Sequence, residues 1–476
     1  MAGFFTIGEQ KIRPGVYNRY ENYGMPPTVG ADDGKCACVI RSDWGPSDRV
    51  SILENYEDIA KIYGNGGTNG TTAVPLEQFK GGARLIYAVR LGSGGTKGEY
   101  KIMDTAETAT EVIRLEMKYE GSREFSITIR PTLADDDKKE LILLEGTTIL
   151  EKFTFAGGTD EVNNLIKAAA ESVYFTVGKI ADTEYPLAVV DQESITPGKD
   201  PVVNMESYSA AFELLEAYRW NVLALDTDDT VVQSVTQMFL NRILNDGKFV
   251  MAVIGESKSV PFETRLTHAS LFNDKQIVYV GNGFTDMFGN VYEGYLAAAR
   301  ISGLIAGTPS SESITHVIIK GASELTEIFT NNQYERAISA GMLTFSLSSS
   351  NAVWVESGIN TLASPESNDD EGWKKIKRTK IRFELMQRLN DTAEPLIGRI
   401  NNDNDGRMTI IQMSNGVCNS MVAENKLMAG AHCELDPDNT PKGDSAWFLV
   451  YADDVDALEK IYFTFKFRFA PEEETE

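Results

Sequence analysis

Polar and apolar positions change rhythm along this chain, and each change predicts a different kind of structure. Alternation is strictest at the end, KIYFTFKFRFAPEEETE, where Ile461, Phe463, Phe465, Phe467 and Phe469 alternate with Tyr462, Thr464, Lys466 and Arg468. A period of two places all five apolar side chains on one face of an extended strand. Chain ends fray unless something ties them down, so a strand this aromatic asks for a partner. At the other end, KIRPGVYNRYENYG predicts a short extended arm within residues 1–24. Pro14 pushes Arg13 towards extended backbone and Gly15 permits a turn before Val16 and Tyr17.

Between the ends, short β-branched runs alternate with amphipathic helices. KCACVIRSDWGP predicts a strand closed by a Gly-Pro turn, SILENYEDIAKIYG a helix stopped by Gly64, PLEQFKGG a short helix and ARLIYAVRLG a buried strand. The same rhythm returns from PLAVVD, through YSAAFELLEAYR, NVLALD, DTVVQSVTQMFLNRILNDG, KFVMAVIG, QIVYVG and NVYEGYLAAARISGLIAG. Residues 25–95 and 191–340 thus predict one α/β domain with a largely parallel sheet. Past the joint GSGGTK, the stretches EVIRLEMKYEGSREFSITIRP and ELILLEGTTILEKFTF each predict a hairpin, followed by the helix VNNLIKAAAESV. Residues 96–190 are therefore expected to form a β-rich, outward-facing domain inserted into the α/β domain. From 341 to 459 a further domain of the α+β class is expected. It comprises strands in GMLTFSLSSSNAVWVESGINTL, helices in IRFELMQRLN and GRMTIIQMSNGVCNSMVAENKLM, and closing strands. Residues 460–476 form the terminal strand and an acidic tail. The predicted fold is α/β and α+β, multidomain, with extended arms at both ends.

Composition narrows what such a chain does. Lys plus Arg number 45 against 70 Asp plus Glu, a formal charge of −25, which disfavours general affinity for nucleic acid. No apolar run approaches bilayer length, and residues 1–10 lack a charged-then-apolar signal pattern, so synthesis and folding in the cytosol are expected, without membrane insertion. The stretch WKKIKRTKIR carries Lys374, Lys375, Lys377, Arg378, Lys380 and Arg382 with no acid among them, a basic island in an acidic protein.

Candidates for chemistry each have a simpler explanation. Cys36, Cys38, Cys418 and Cys433 do not repeat the C-x2–4-C pairs of a zinc site, so buried thiols are expected. His268, His316 and His432 have no nucleophile signature beside them. GNGGTNG at 64–70 lacks G-K-[ST]. GNGFTDMFG at 281–289 follows a strand as a ligand loop would, yet its last glycine falls one residue late. Asp226, Asp228 and Asp229 sit where carboxylates hold metals, but Asp228 or Asp229 more simply caps the helix starting at Thr230. No catalytic group, cofactor or metal is expected.

The chain as a whole resembles the sheath protein of contractile tails, as found in contractile-tailed phages and phage-tail-like bacteriocins. RPGVYNRYE resembles that family's arm, and SDWGPSDRVSILENYEDIAKIYG its first core segment. AARISGLIAGTPSSESITHVIIKGA and GMLTFSLSSSNAVWVESGINTLAS resemble the stretch joining its middle and C-terminal domains; K-K-I-K-R-x-K-I-R and PLIGRINND resemble its C-terminal domain. Residues 96–190 match least well. The resemblance implies a structural subunit that polymerises around an inner tail tube and contracts to drive it through a cell envelope. Its partners would be copies of itself, the tube protein, and baseplate and tail terminator proteins, in a virion or phage-tail-like particle assembled in the host cytoplasm. Both arms would add strands to neighbouring subunits, through Pro14, Val16 and Tyr17 at one end and the five-residue apolar row at the other. The basic island would face the tube. Two other readings stand beside this one: a different self-assembling shell or surface-layer protein, and an α/β enzyme.

Overall fold

The computed structural model describes residues 2–4, 16–18, 33–135, 137–158, 160–365 and 369–468. It forms two compact units, one of Met1–Ala31 with Leu385–Asp454, the other of Asp32–Glu384 with Val455–Glu476.

The larger unit is built on a seven-stranded sheet. Across it the order is Met342–Leu343, Ile277–Val280, Met251–Gly255, Val222–Ala224, Lys35–Ile40, Leu85–Arg90 and Ser51–Leu53. Every pairing is parallel except the last, at the edge. KCACVI is buried along almost its whole length because both faces are covered. Cys36, Cys38 and Ile40 pack with Val74 and Phe79 of Ala73–Gly81 and with Ala297, Ala298 and Ile301 of Tyr295–Gly307. Ala37 and Val39 face the helices Met205–Glu216, Thr230–Asn245 and Phe262–Phe272 through Phe212, Phe239, Leu240 and Leu266. On the first face two helices approach closely at glycine. A Cβ on Gly303 would stand 2.0 Å from the Gln78 carbonyl oxygen, so no side chain fits there.

One expected element and two expected domain boundaries shift. SIL is not helical but the edge strand Ser51–Leu53, because Asn55 caps the helix Tyr56–Tyr63, its side chain accepting from the Glu57 and Asp58 amides. The strand Met342–Leu343 joins the parallel sheet beside Ile277–Val280, so residues 341–384 fold with the α/β body and the C-terminal unit starts at Leu385. PLAVVD leads into Val190–Ser194, which pairs with Ser126–Pro131 in the β-rich block, and the α/β rhythm resumes only with Met205–Glu216.

That β-rich block holds two sheets. One has the order Thr148–Ala156, Lys138–Glu145, Ser126–Pro131, Val190–Ser194; the other runs Phe175–Lys179, Glu111–Glu120, Lys97–Met103. The second expected hairpin, ELILLEGTTILEKFTF, forms as such. The first does not: Glu111–Glu120 and Ser126–Pro131 lie in different sheets. Between them the chain crosses at Gly121 (φ 149°), where a Cβ would lie 1.8 Å from the Asp43 carbonyl oxygen. The block is not closed on itself. Trp44, from the loop after the first body strand, is buried in its core against Tyr119 and Phe125, with ring centroids 5.3 and 5.0 Å apart. Arg90 at the end of a body strand donates to the Glu120 carbonyl at 2.9 Å and the Gly45 carbonyl at 2.7 Å.

In the smaller unit the helix Asn404–Ala423 starts on Asp403, whose carboxylate accepts from the Gly406 amide at 2.8 Å. The strands His432–Leu435 and Phe448–Tyr451 pair antiparallel as a sheet of two. Arg388 grips Glu424 with two 2.7 Å bonds, and Lys426 adds a third contact at 2.7 Å. Arg388 first, and Lys426 after it, hold the Glu424 carboxyl down to about 2. In the same unit Ala2–Phe4 pairs parallel with Val16–Asn18, three residues each. Val16 and Tyr17 thus lie in a short strand, while Pro14 falls outside the described residues.

Candidate functional site

Residues 455–468 leave the body without joining any sheet: no backbone hydrogen bond links them to another described residue. The apolar row is bare. Ile461 is 61% exposed, Phe463 77%, Phe465 74% and Phe467 94%. Their rings still line up, with centroids 6.3 Å apart for Phe463 and Phe465 and 6.2 Å for Phe465 and Phe467. One face of an extended segment therefore carries the row, as the alternation predicts; Phe469 lies outside the described residues. Four large apolar side chains in water cost roughly 1.5–3 kcal/mol each relative to burial. An open run of aromatic strand is an aggregation hazard unless it meets a partner.

The basic island is held mostly by its own chain and is not a solvated face. Lys377 is buried. Lys380 donates to the carbonyls of Ile305, at 2.6 Å, and Thr308. Arg382 meets Asp370 with bonds of 3.0 and 2.9 Å and stacks over Trp373 at 4.6 Å. Lys374 donates to the Ser339 carbonyl at 3.3 Å, and burial pulls its ammonium below the ordinary range. Arg378 lies against Gly372 and is half-buried. Lys375 pairs with Asp456 at 2.7 Å and Glu459 at 3.0 Å, both in the segment leading to the apolar row. The acids of ADDVDALEK opposite this island are the signal by which sequence reasoning could have found that contact.

Places where chemistry might sit are occupied structurally. The crevice between Lys35–Ile40 and Val222–Ala224, where the sheet's chain order reverses, is the ligand position of open α/β sheets. Here Asp226 is fully buried, bonded to Arg41 Nε at 2.6 Å and to the Tyr208 hydroxyl at 2.8 Å. Asp229 caps Thr230–Asn245, and Asp228 caps a different helix, accepting from the Tyr295 amide at 2.6 Å. Burial drives the Asp228 carboxyl up to about 6, with Glu256 and Glu293 adding to the rise. His268 Nδ1 meets Glu256 at 2.8 Å, and the same carboxylate takes the Tyr279 hydroxyl. His316 stacks on Trp354 and His432 on Tyr451. GNGFTDMFG makes a turn, with Asp286 accepting from the Phe288 and Asn290 amides at 2.9 and 3.0 Å. All four cysteines are buried thiols. Among the described residues, no cluster of three or more His, Cys, Asp or Glu is placed to hold a metal.

Among the described residues, an α/β body thus carries a β-rich insertion and ends in an apolar row that no described strand pairs. Residues 202–361 match the model of the phage tail sheath protein central domain. The phage-like element PBSX protein XkdK of Bacillus subtilis (strain 168) is 22% identical over 411 residues, covering 83% of each chain. A crystal structure of a sheath tail protein from Desulfitobacterium hafniense superposes with a TM-score of 0.72 at 20% identity, over 94% of this chain and 99% of that one. A sheath tail protein from Listeria innocua gives 0.68 at 18% identity, over 89% and 96%. The chain thus matches that central-domain model over 202–361 and, over nearly its whole length, shares the fold of these sheath tail proteins.

Proposed function

We propose that this protein is the structural subunit of a contractile tail sheath, which polymerises by strand exchange around an inner tube and contracts to drive that tube through a target cell envelope. The bare row Ile461, Phe463, Phe465 and Phe467 carries this reading: the described chain gives it no partner, so a neighbouring copy supplies one. Its acceptor is the two-stranded sheet of the C-terminal unit, where His432–Leu435 and Phe448–Tyr451 leave outer edges without a third described strand. Strand addition gives affinity through backbone hydrogen bonds, and the apolar row fixes register, since a one-residue slip would turn every ring outward. The arm around Val16 and Tyr17 adds to the same sheet. The solved anti-feeding prophage sheath in its contracted state shares this fold over 96% of the chain, with a TM-score of 0.55 at 11% identity, which supports helical self-assembly. Baseplate association is proposed on the same footing, from the anti-feeding prophage baseplate structure with a TM-score of 0.54.

The role is mechanical and uses no catalytic group. Contraction then moves the α/β bodies as rigid pieces while the exchanged strands stay joined. Tube and terminator proteins are the further partners, and the particle forms in the host cytoplasm. A tube contact is proposed through the basic island, whose partly exposed members are Lys374, Lys375, Arg378, Lys380 and Arg382. Electron microscopy of the protein expressed alone tests the assembly reading. Hollow tubes are expected; closed shells or flat lattices would favour a different self-assembling protein.

A further inference from the structure

Where the C-terminal segment leaves the body, several groups converge on one carboxylate. Glu459 Oε1 accepts from Ser313 Oγ at 3.1 Å and from Thr315 Oγ1 at 2.9 Å. Its Oε2 lies 3.0 Å from Lys375 Nζ, which also meets Asp456 Oδ2 at 2.7 Å. The hydroxyls are aimed in advance. Ser313 Oγ accepts from the Thr315 amide at 3.2 Å, and Thr315 Oγ1 accepts from the Gly358 amide at 2.9 Å. The Thr315 hydroxyl hydrogen then points at the carboxylate, while the Ser313 hydroxyl hydrogen is shared between Glu459 Oε1 and Thr315 Oγ1, 3.0 Å away. Lys375 is fixed in turn by a bridge to Ile359. One residue further on, Lys460 is exposed and the unpartnered row begins.

We propose that Ser313, Thr315 and Lys375 form a receptor for the Glu459 carboxylate, which holds the root of the C-terminal segment on its own subunit and sets the reach of the strand beyond it. The receptor stands independently of the sheath reading; only the reach rests on that reading. From Lys460 to Arg468 is nine residues, roughly 30 Å when extended. The accepting edge of the neighbour must then lie within roughly 30 Å of this receptor. The ion pairs are in contact and only partly exposed, so salt weakens the receptor without opening it: at 1 M ionic strength screening sets in beyond about 3 Å.

Spin labels on Leu458→Cys and Ser323→Cys, both exposed positions, read the root directly by pulsed-EPR distance measurement, the four native thiols being buried. In the parent background one narrow distance distribution is expected. Lys375→Ala and Glu459→Ala should each lose it, whereas Lys442→Ala, which removes a remote charge, should retain it. Circular dichroism checks that both variants fold. A narrow distribution persisting in both variants overturns the receptor. Loss of the narrow distribution with tubes of ordinary pitch and length overturns its control of reach. Failure of the parent chain to polymerise sinks the sheath reading and leaves the distance test of the receptor standing.

Discussion

Replacing Phe465 and Phe467 together by Asp separates folding from assembly. In the free subunit these side chains are 74% and 94% exposed, so their loss should leave stability within about 0.5 kcal/mol, as for ordinary surface substitutions. For a unit of this size that is a melting shift of at most about 2 °C. In a strand-exchanged junction the same change removes two buried rings, roughly 1.5–3 kcal/mol each, or roughly 3–6 kcal/mol together. Burying two unpaired carboxylates adds several kcal/mol more. At about 1.4 kcal/mol per factor of ten, ring loss alone weakens each junction by roughly 10²–10⁴. In the proposed linkage each subunit both gives and receives a strand, so polymerisation should stop. Thermal unfolding by circular dichroism, with sedimentation velocity and electron microscopy on the same sample, measures both quantities. A melting point lower by many degrees would show that the segment packs in its own subunit, and tubes of normal length would show that the row is not the linkage; either refutes the reasoning.

Trp44→Ala should cost about 3–5 kcal/mol and loosen the β-rich block, because its ring fills that block's core from the body side; chemical denaturation monitored by tryptophan fluorescence checks this. For the same reason, excising 97–188 should leave a poorly soluble chain unless Trp44 is replaced by a polar residue, and soluble monomer from the simple deletion would contradict the shared core. Asp228→Asn should raise stability at pH 8. The wild-type carboxyl titrates at about 6 when folded and near 3.8 when unfolded, so the folded state binds the extra proton and loses stability as pH rises through that window. The gain is roughly 1–3 kcal/mol by denaturant titration at pH 8 and should vanish below about pH 4. Arg382→Ala should lower monomer stability by about 1–2 kcal/mol, since it releases Asp370 and uncovers Trp373; an unchanged midpoint with impaired tube decoration would return this residue to a tube-facing role.

The sequence by itself determined what depends on neighbours along the chain. Periodicity located the buried strand KCACVI, the helices that follow, the hairpin at 138–156 and the one-sided aromatic row, because side-chain direction repeats every two or 3.6 residues whatever the fold. Local chemistry also fixed Gly64 as a helix stop and narrowed the cap of Thr230–Asn245 to Asp228 or Asp229, between which the structure chose Asp229. Only the tertiary structure decided which strands share a sheet. Glu111–Glu120 and Ser126–Pro131 alternate like a hairpin, yet the Asp43 carbonyl packed at Gly121 sends them into different layers. Met342–Leu343 is too short to announce its partner, and the parallel sheet claims it across a long separation. The basic island shows the limit most clearly. Its charges are plain in the sequence, but whether they face a partner or their own carbonyls and carboxylates depends on groups such as Ile305, Asp370 and Glu459, which only folding brings beside them.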